Sequence, residues 1–296
     1  MILPGKANLG HILRYVGWPL VLLLAWDVLV TLAYMLLIHN SIDLPDLPIP
    51  LIGSAVAVYL TFRNTTAYAR WWEARGLWGM LINHSRNFAR QCQILLPDSA
   101  SAVRTNLVQR QIAYAHALRL HLRRQAPWDE LAARLPAEEL EYLHTIANVP
   151  HAILLRSAGI VAREATLFDE SRRLSMFDAT FGELTNAQGG MERIKNTPLP
   201  QQYATYPTIL THALCVLLPV GLVENLHWWT PLGSTVTGFL FLALLQIGRD
   251  MQNPFENREN DVPLSAMTRT IEIDLRDCLG EAHGLKPLQP EHGVLM

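Results

Sequence analysis

The sequence predicts an all-α membrane protein, and three observations carry that expectation. Apolar residues are gathered into blocks, at residues 20–38, 49–62, 210–223 and 233–247, rather than scattered. An apolar helix of about 20 residues crosses a bilayer, since each residue rises about 1.5 Å through a core about 30 Å thick. Between the second and third blocks lies a long polar, Arg-rich stretch whose periodicity is helical throughout, with no convincing strand. Of 24 Lys and Arg, only Lys6, Arg14, Arg249, Arg258, Arg269, Arg276 and Lys286 lie outside residues 63–195.

That charge asymmetry orients the chain. Residues 39–49 and 224–230 contain no Lys or Arg, and the first of these segments carries Asp43 and Asp46. Cytoplasmic segments beside membrane spans retain Lys and Arg, so both termini and the middle region are expected in the cytoplasm, with two short loops outside. Four crossings satisfy that parity. The expected organisation is residues 1–62 with the first two spans, 63–202 as a cytoplasmic helical domain, 203–248 with the last two spans, and 249–296 as a cytoplasmic helix and tail. Lys6 and Arg14 precede the first block as in a signal peptide, but the block is too long for that and no A-x-A site follows it. Cys92, Cys215 and Cys278 are isolated, without metal or redox spacing.

Along the chain, the first span contains Asp27. An acid inside the membrane is costly to expose to lipid and is expected to face other helices or water, either as a partnered acid or as an ion-pathway group. From Leu51 the helical pattern runs unbroken to about Leu96, apolar at first and polar afterwards. Pro97-Asp98-Ser99 is expected to end that helix and cap the next, over 100–125. Shorter amphipathic helices are expected at 137–148, 151–170 and 174–187. Thr197-Pro198-Leu199-Pro200 turns the chain back to the membrane for spans at 203–223 and up to Gln246, separated by the aromatic cluster His227-Trp228-Trp229.

The sequence offers little for catalysis. It has no phosphate-cradling Gly-rich loop, no nucleophile elbow and no H-E-x-x-H. His116 and His121 are five apart, which does not set two ligands on one helical face. Asp178 with Glu183, and Glu138, Glu139 and Glu141, read as solvated helix faces. The second span carries a more suggestive pattern: Ser54, Val58 and Phe62 recur at i, i+4, i+8 and so form one stripe, with Gly53, Ala55 and Ala57 among them. Repeated around an axis by several copies, the stripe would form an apolar constriction that gates by dewetting. A helix-packing face explains the same pattern equally well.

FRNTTAYARWWEARGLWG (62–79), MERIKNTPLP (191–200), and NPFENRENDVPL (253–264) followed by TIEIDL (270–275) occur in register, and together they resemble the bestrophin family in its bacterial branch. The similarity extends over residues 19–275. It implies a homopentamer in the cell (inner) membrane, with four spans per subunit, a cytoplasmic helical body, one central pore for small monovalent ions, and no catalysis or cofactor. On this resemblance the pore neck maps to Ser54, Val58 and Phe62, and a cytoplasmic aperture to Met176 or Phe177. Ser54 stands where the family has a larger apolar residue, so a leakier gate is expected. Animal members hold calcium after the fourth span. The matching positions here are Asp250, Asn253 and Asp261, but Arg258 and Glu256 replace family residues, and an Arg in the shell argues against calcium. Asp261 is instead expected to cap the helix beginning near Pro263. The animal branch passes chloride and the bacterial branch is associated with cations; Asp43 and Asp46 at the outer mouth would concentrate cations. The alternative is a membrane-anchored scaffold or sensor whose Arg-rich helices, such as 119–124, bind a soluble partner.

Overall fold

The computed structural model describes residues 15–38, 47–167, 171–291 and 293–296. Lys6, Arg14, Asp43 and Asp46 lie outside the described residues. Within them the chain is helical: α1 Trp18–Ala33, continued by a π-helical turn Tyr34–Ile38, α2 Ile49–Leu95, α3 Ser101–Leu122, α4 Trp128–Ala132, α5 Ala137–His144, α6 Val149–Leu167, α7 Ser171–Asn196, α8 Gln201–Ala204, α9 Tyr206–Leu226, α10 Thr230–Gln252 and α11 Leu264–Leu279. The one β-type pairing among the described residues is an isolated bridge, Glu291 to Val294.

The chain divides into two compact units. One comprises Pro4–Trp71 and Pro198–Asn253, the other chiefly Trp72–Thr197 and Pro254–Met296. These limits lie several residues beyond the ones the hydrophobic blocks suggest. The reason is that polar residues following the apolar part of α2 still bind α10. Arg63 Nη1 donates to the Leu245 carbonyl at 3.0 Å, Asn64 Nδ2 to Leu244 at 2.9 Å, and Arg70 Nε to Gln252 at 2.9 Å.

The first unit bundles α1, α9, α10 and the start of α2. One cluster joins Ile49, Val56 and Leu60 of α2 with Leu214 and Leu218 of α9 and Leu245 of α10; a second joins Val16 and Leu23 with Cys215 and Leu242. Two glycines set the closest approaches. A Cβ on Gly238 would lie 2.3 Å from Leu23 Cδ2, and one on Gly248 would lie 2.2 Å from Asn64 Oδ1. Trp18–Leu37 and Gln201–Gln252, the latter folded as a helix pair, are long and apolar enough to cross a membrane. Their outer faces are apolar too: Leu22, Leu29, Leu36, Ile209, Val216, Trp229 and Leu240 are all exposed. An apolar exterior over a packed bundle is what acyl chains, rather than water, would solvate.

The second unit is built on α3. From Leu107 to Leu118 every residue of this helix except Gln109 is buried, and the helix packs against α6, α7 and α11. A helix enclosed on every side must pair its polar groups internally. Arg110 does so with both oxygens of Glu139 and with Ser157 Oγ, the last at 3.0 Å. Arg156 Nε adds a second cation to Glu139 at 3.1 Å. Glu139 is therefore buried and not on a solvated face as the acidic run suggested; only its neighbours Glu138 and Glu141 are exposed. The turn before α3 also differs from expectation. Asp98–Ala100 forms a short 3-10 turn and makes no side-chain cap, while Asn148 caps α6 by accepting from the His151 amide at 3.1 Å.

The three resembling motifs acquire structural roles within this unit. In the last motif, Ile271 and Leu275 are buried, Glu272 enters an ion network, and Asp274 Oδ2 pairs with Arg86 Nη2 at 2.7 Å. In the middle motif, Glu192 Oε1 accepts from Asn148 Nδ2 and Gln188 Nε2 at 2.9 and 2.7 Å. From the first, Glu73 pairs with Arg193 at 2.5 Å, and Trp78 is completely buried.

The ion network surrounds His116. Its Nδ1 meets Glu130 Oε2 and its Nε2 meets Glu272 Oε2, both at 3.2 Å. Arg119 and Arg134 also pair with Glu130, and Arg134 and Arg276 with Glu272. The His116 hydrogen bond, helped by the two guanidinium groups and opposed by partial burial, lowers the Glu130 carboxyl to about 2. At Glu272 burial pushes upward, but bonding to His116 and Arg134 outweighs it and the carboxyl is held below its usual range. Carboxyls lowered on folding add stability above their unfolded value, and lose it as pH falls through the folded value. The unfolding temperature should therefore be flat near neutrality and fall below about pH 4.5. Scanning fluorimetry of the detergent-solubilised protein across that range checks this; a rise on acidification would contradict it.

Candidate pore-lining helix

The two faces of α2 are sharply different. Successive residues turn by about 100° on a helix, so Val56, Leu60, Arg63 and Ala67 share one face. All four are buried in the first unit. Ser54, Val58 and Phe62 occupy the opposite face, about 180° away. All are exposed, Val58 at 56% and Phe62 at 61%. The structure thus brings the three neck candidates together on one edge, turned away from the bundle of their own chain. Arg63, though adjacent to Phe62 in sequence, points inward to the Leu245 carbonyl and is 1% exposed.

The remaining polar residues of this segment are hydroxyls. Ser54 Oγ donates to the Leu51 carbonyl and Thr61 Oγ1 to that of Ala57, each at 2.9 Å, whereas Tyr59 donates to the Gln202 carbonyl at 2.6 Å. The stripe therefore presents apolar surface interrupted by hydroxyl oxygens, with no charged side chain between Ile49 and Phe62. Such a surface can neither bind an ion tightly nor act on a substrate covalently. Its chemistry is limited to wetting, dewetting and weak coordination.

Asp27 is fully buried in the same unit, but inside the bundle. Its carboxylate accepts from Ser234 Oγ at 2.8 Å and Thr235 Oγ1 at 2.7 Å, so α1 is tied to α10 through two hydroxyls. Of its two readings, partnered acid and ion-pathway group, this geometry is that of the first. Trp26 Nε1 adds a bond from α1 to the Val216 carbonyl of α9 at 3.0 Å.

The aperture candidates, adjacent in sequence, separate in space. Met176 is exposed at the start of α7, whereas Phe177 is 1% exposed and meets the Phe88 ring edge-on, with centroids 5.8 Å apart. Phe177 therefore belongs to the core of the second unit, which corrects its assignment to an aperture. Burial of Phe177, Phe181, Leu184 and Met191 follows the helical period and directs the Met176 face outward.

The degenerate calcium positions have partners of their own. Asp250 accepts from Tyr15 Oη at 2.5 Å and from Gln246 Nε2 at 3.0 Å. Asn253 ends α10. Asp261 is buried and accepts from the Arg258 amide at 3.0 Å, closing the 258–261 turn, and burial raises its carboxyl above the usual range despite that bond. It does not cap α11, whose N-cap Pro263 receives no side-chain bond, so the capping expectation is corrected. The left-handed Asn257 bends this loop so that Asp261 reaches Arg258 before the helix begins. Among the described residues no group of three or more His, Cys, Asp or Glu is placed to hold a metal.

Comparison with known proteins agrees with this architecture. The family model for the bacterial and fungal bestrophin protein matches residues 6–277. A voltage-dependent anion channel-forming protein of Ralstonia nicotianae is 38% identical over 81% of this chain and 79% of its own length. The voltage-dependent anion channel-forming protein YneE of Escherichia coli K12 is 33% identical over 92% of this chain and 90% of its own. A crystal structure of a bacterial bestrophin homolog from Klebsiella pneumoniae superposes with a TM-score of 0.85 at 30% identity, covering 89% of this chain and 98% of that one. Sequence similarity and fold extend over most of the chain, and the protein belongs to the bacterial and fungal bestrophin family.

Proposed function

We propose that this protein is a passive ion channel, not an enzyme, in which copies of the chain surround a shared water-filled axis lined by the Ser54–Val58–Phe62 edge of α2. The observation that carries this reading is the exposure of that edge opposite the buried Val56–Leu60 face. One such helix per chain cannot enclose a water column alone, so the pore needs several copies; the family resemblance supplies five. Four crossings per chain, formed by α1, the apolar start of α2, α9 and α10, agree with the charge asymmetry, as does a cytoplasmic location for the second unit. Met176 at the exposed face of α7 is the residue we assign to a cytoplasmic narrowing, and the membrane is the cell (inner) membrane. The curated relatives' names support ion conduction.

Rings of Val58 and Phe62 would form the dewetting constriction, and Ser54 would keep its outer end wet. Purified protein in a planar bilayer should therefore give unitary currents, and Ser54→Ile should lower conductance and open probability by about twofold or more by extending the apolar ring. Unchanged conductance and open probability in Ser54→Ile would contradict the role given to Ser54. The absence of unitary currents would favour a scaffold.

A further inference from the structure

We infer that the groove between α1 and α9 binds one anionic phospholipid, with an acyl chain in the groove and the phosphate on Arg249. The inference needs the first unit to lie in a membrane and is independent of whether the protein conducts. The groove holds about 330 Å³, with Leu22 and Trp26 of α1 on one wall, His212 and Val216 of α9 on the other, and Leu242 of α10 behind them. At one end Trp26 Nε1 donates to the Val216 carbonyl at 3.0 Å and bridges the two walls. The other end opens toward the starts of α1 and α9. His212 is the one ionisable side chain on the walls, and the rim residues Leu22 and Val216 are exposed. The groove is also separate from the pore candidate. α1 meets α9 and α10 through Leu23, Cys215 and Leu242, whereas α2 meets them through Leu214, Leu218 and Leu245.

Charge at the open end names the occupant. Arg249 follows Leu242 by seven residues, so it stands at nearly the same angle on α10, about 10 Å nearer that end. Its Nη2 donates to Thr208 Oγ1 at 3.3 Å, and His212 Nδ1 donates to the Thr208 carbonyl at 2.6 Å, so cation and groove wall meet on one turn of α9. Arg249 is exposed there, and its other N–H groups point a ready fork at a phosphate. The neighbouring acid, Asp250, is engaged by Tyr15 and Gln246. An apolar groove ending under an exposed guanidinium matches a phospholipid along its length, methylenes inside and phosphate at the mouth. A free phosphate would leave the groove unfilled, and an apolar helix from a second copy would leave Arg249 without a counter-charge.

The test is native mass spectrometry of the full-length protein in detergent, titrated with phosphatidylglycerol and with phosphatidylcholine of the same acyl chains. The wild type should bind phosphatidylglycerol about fivefold more tightly, the effect of one Arg on an anionic headgroup. Arg249→Gln should remove that preference. Val216→Trp fills the groove and should weaken binding of both lipids by about tenfold or more, since several methylenes lose their apolar contact. Leu22→Trp gives the same reading from the opposite wall if Val216→Trp does not fold. Leu240→Trp, exposed on α10 outside the groove, should bind both lipids as the wild type does. Equal affinity for the two lipids in the wild type overturns the inference, as does a preference that survives Arg249→Gln or binding that survives both groove-filling changes. Loss of copies from the assembly in Val216→Trp, with lipid retained, would place a second chain in the groove and likewise overturn it.

Discussion

Replacing Glu272 by alanine should destabilise the protein strongly. Glu272 is nearly inaccessible, with 4% of its side chain exposed, and it answers three cationic or potentially cationic groups: Arg134 Nη2 at 2.9 Å, Arg276 Nη2 at 3.1 Å and His116 Nε2 at 3.2 Å. A surface ion pair contributes little, because water already solvates both partners. Here the side chains of Arg134 and His116 are themselves largely buried, so removing the carboxylate leaves Arg134 Nη2 and His116 Nε2 without their partner and Glu130 as the one carboxylate they share. Breaking a buried pair in this way costs about 3–5 kcal/mol. Glu272 also links α11 to α3 and to Arg134, which follows α4, so the loss would spread across the packing around α3. The expected outcome is a large fall in unfolding temperature for Glu272→Ala and a smaller one for Glu272→Gln, which keeps the volume and one acceptor. Glu259→Ala, at an exposed position, should stay within about 0.5 kcal/mol of wild type. Equal unfolding temperatures for Glu272→Ala and Glu259→Ala would contradict the network's role.

Much of the fold was legible in the sequence because it is written in coarse physical terms. The apolar blocks foretell α1, α9, α10 and the start of α2, and the absence of Pro and the scarcity of Gly between Leu51 and Leu96 foretell that α2 is one continuous helix. The Ser54–Val58–Phe62 edge was legible from spacing, but its direction was not. A stripe at i, i+4, i+8 serves equally well for packing or for lining a pore, and only the burial of Val56 and Leu60 against α9 and α10 assigns the two faces.

Polar residues were harder to place. Glu139 looked solvated beside Glu138 and Glu141, yet it shares a helical face with Leu143, four residues on, and that spacing was the available sign that it is buried. Phe177 could likewise have been separated from Met176 by its spacing to Phe181 and Leu184. Arg63 carried no such sign. Its burial depends on free space beside Gly248 and on the Leu245 carbonyl, both 180 or so positions away in sequence. The same distance hides why Glu272 matters: its partners His116 and Arg134 come from elements with no periodic relation to α11.

The most direct test of the permeation pathway is the accessibility of Val58 to a charged thiol reagent while current is recorded. Cys92 and Cys215 are buried, so a Cys278→Ser background leaves no accessible native thiol. In that background Val58→Cys should react and lose nearly all unitary current, because a charged adduct on each copy would fill the narrowest part of the axis. Val56→Cys, 3% exposed and on the opposite face, should conduct unchanged in the same reagent. Reaction at Val58→Cys without loss of current would contradict the assignment, as would block through Val56→Cys instead, because the Ser54–Val58–Phe62 edge would then not face the ion path.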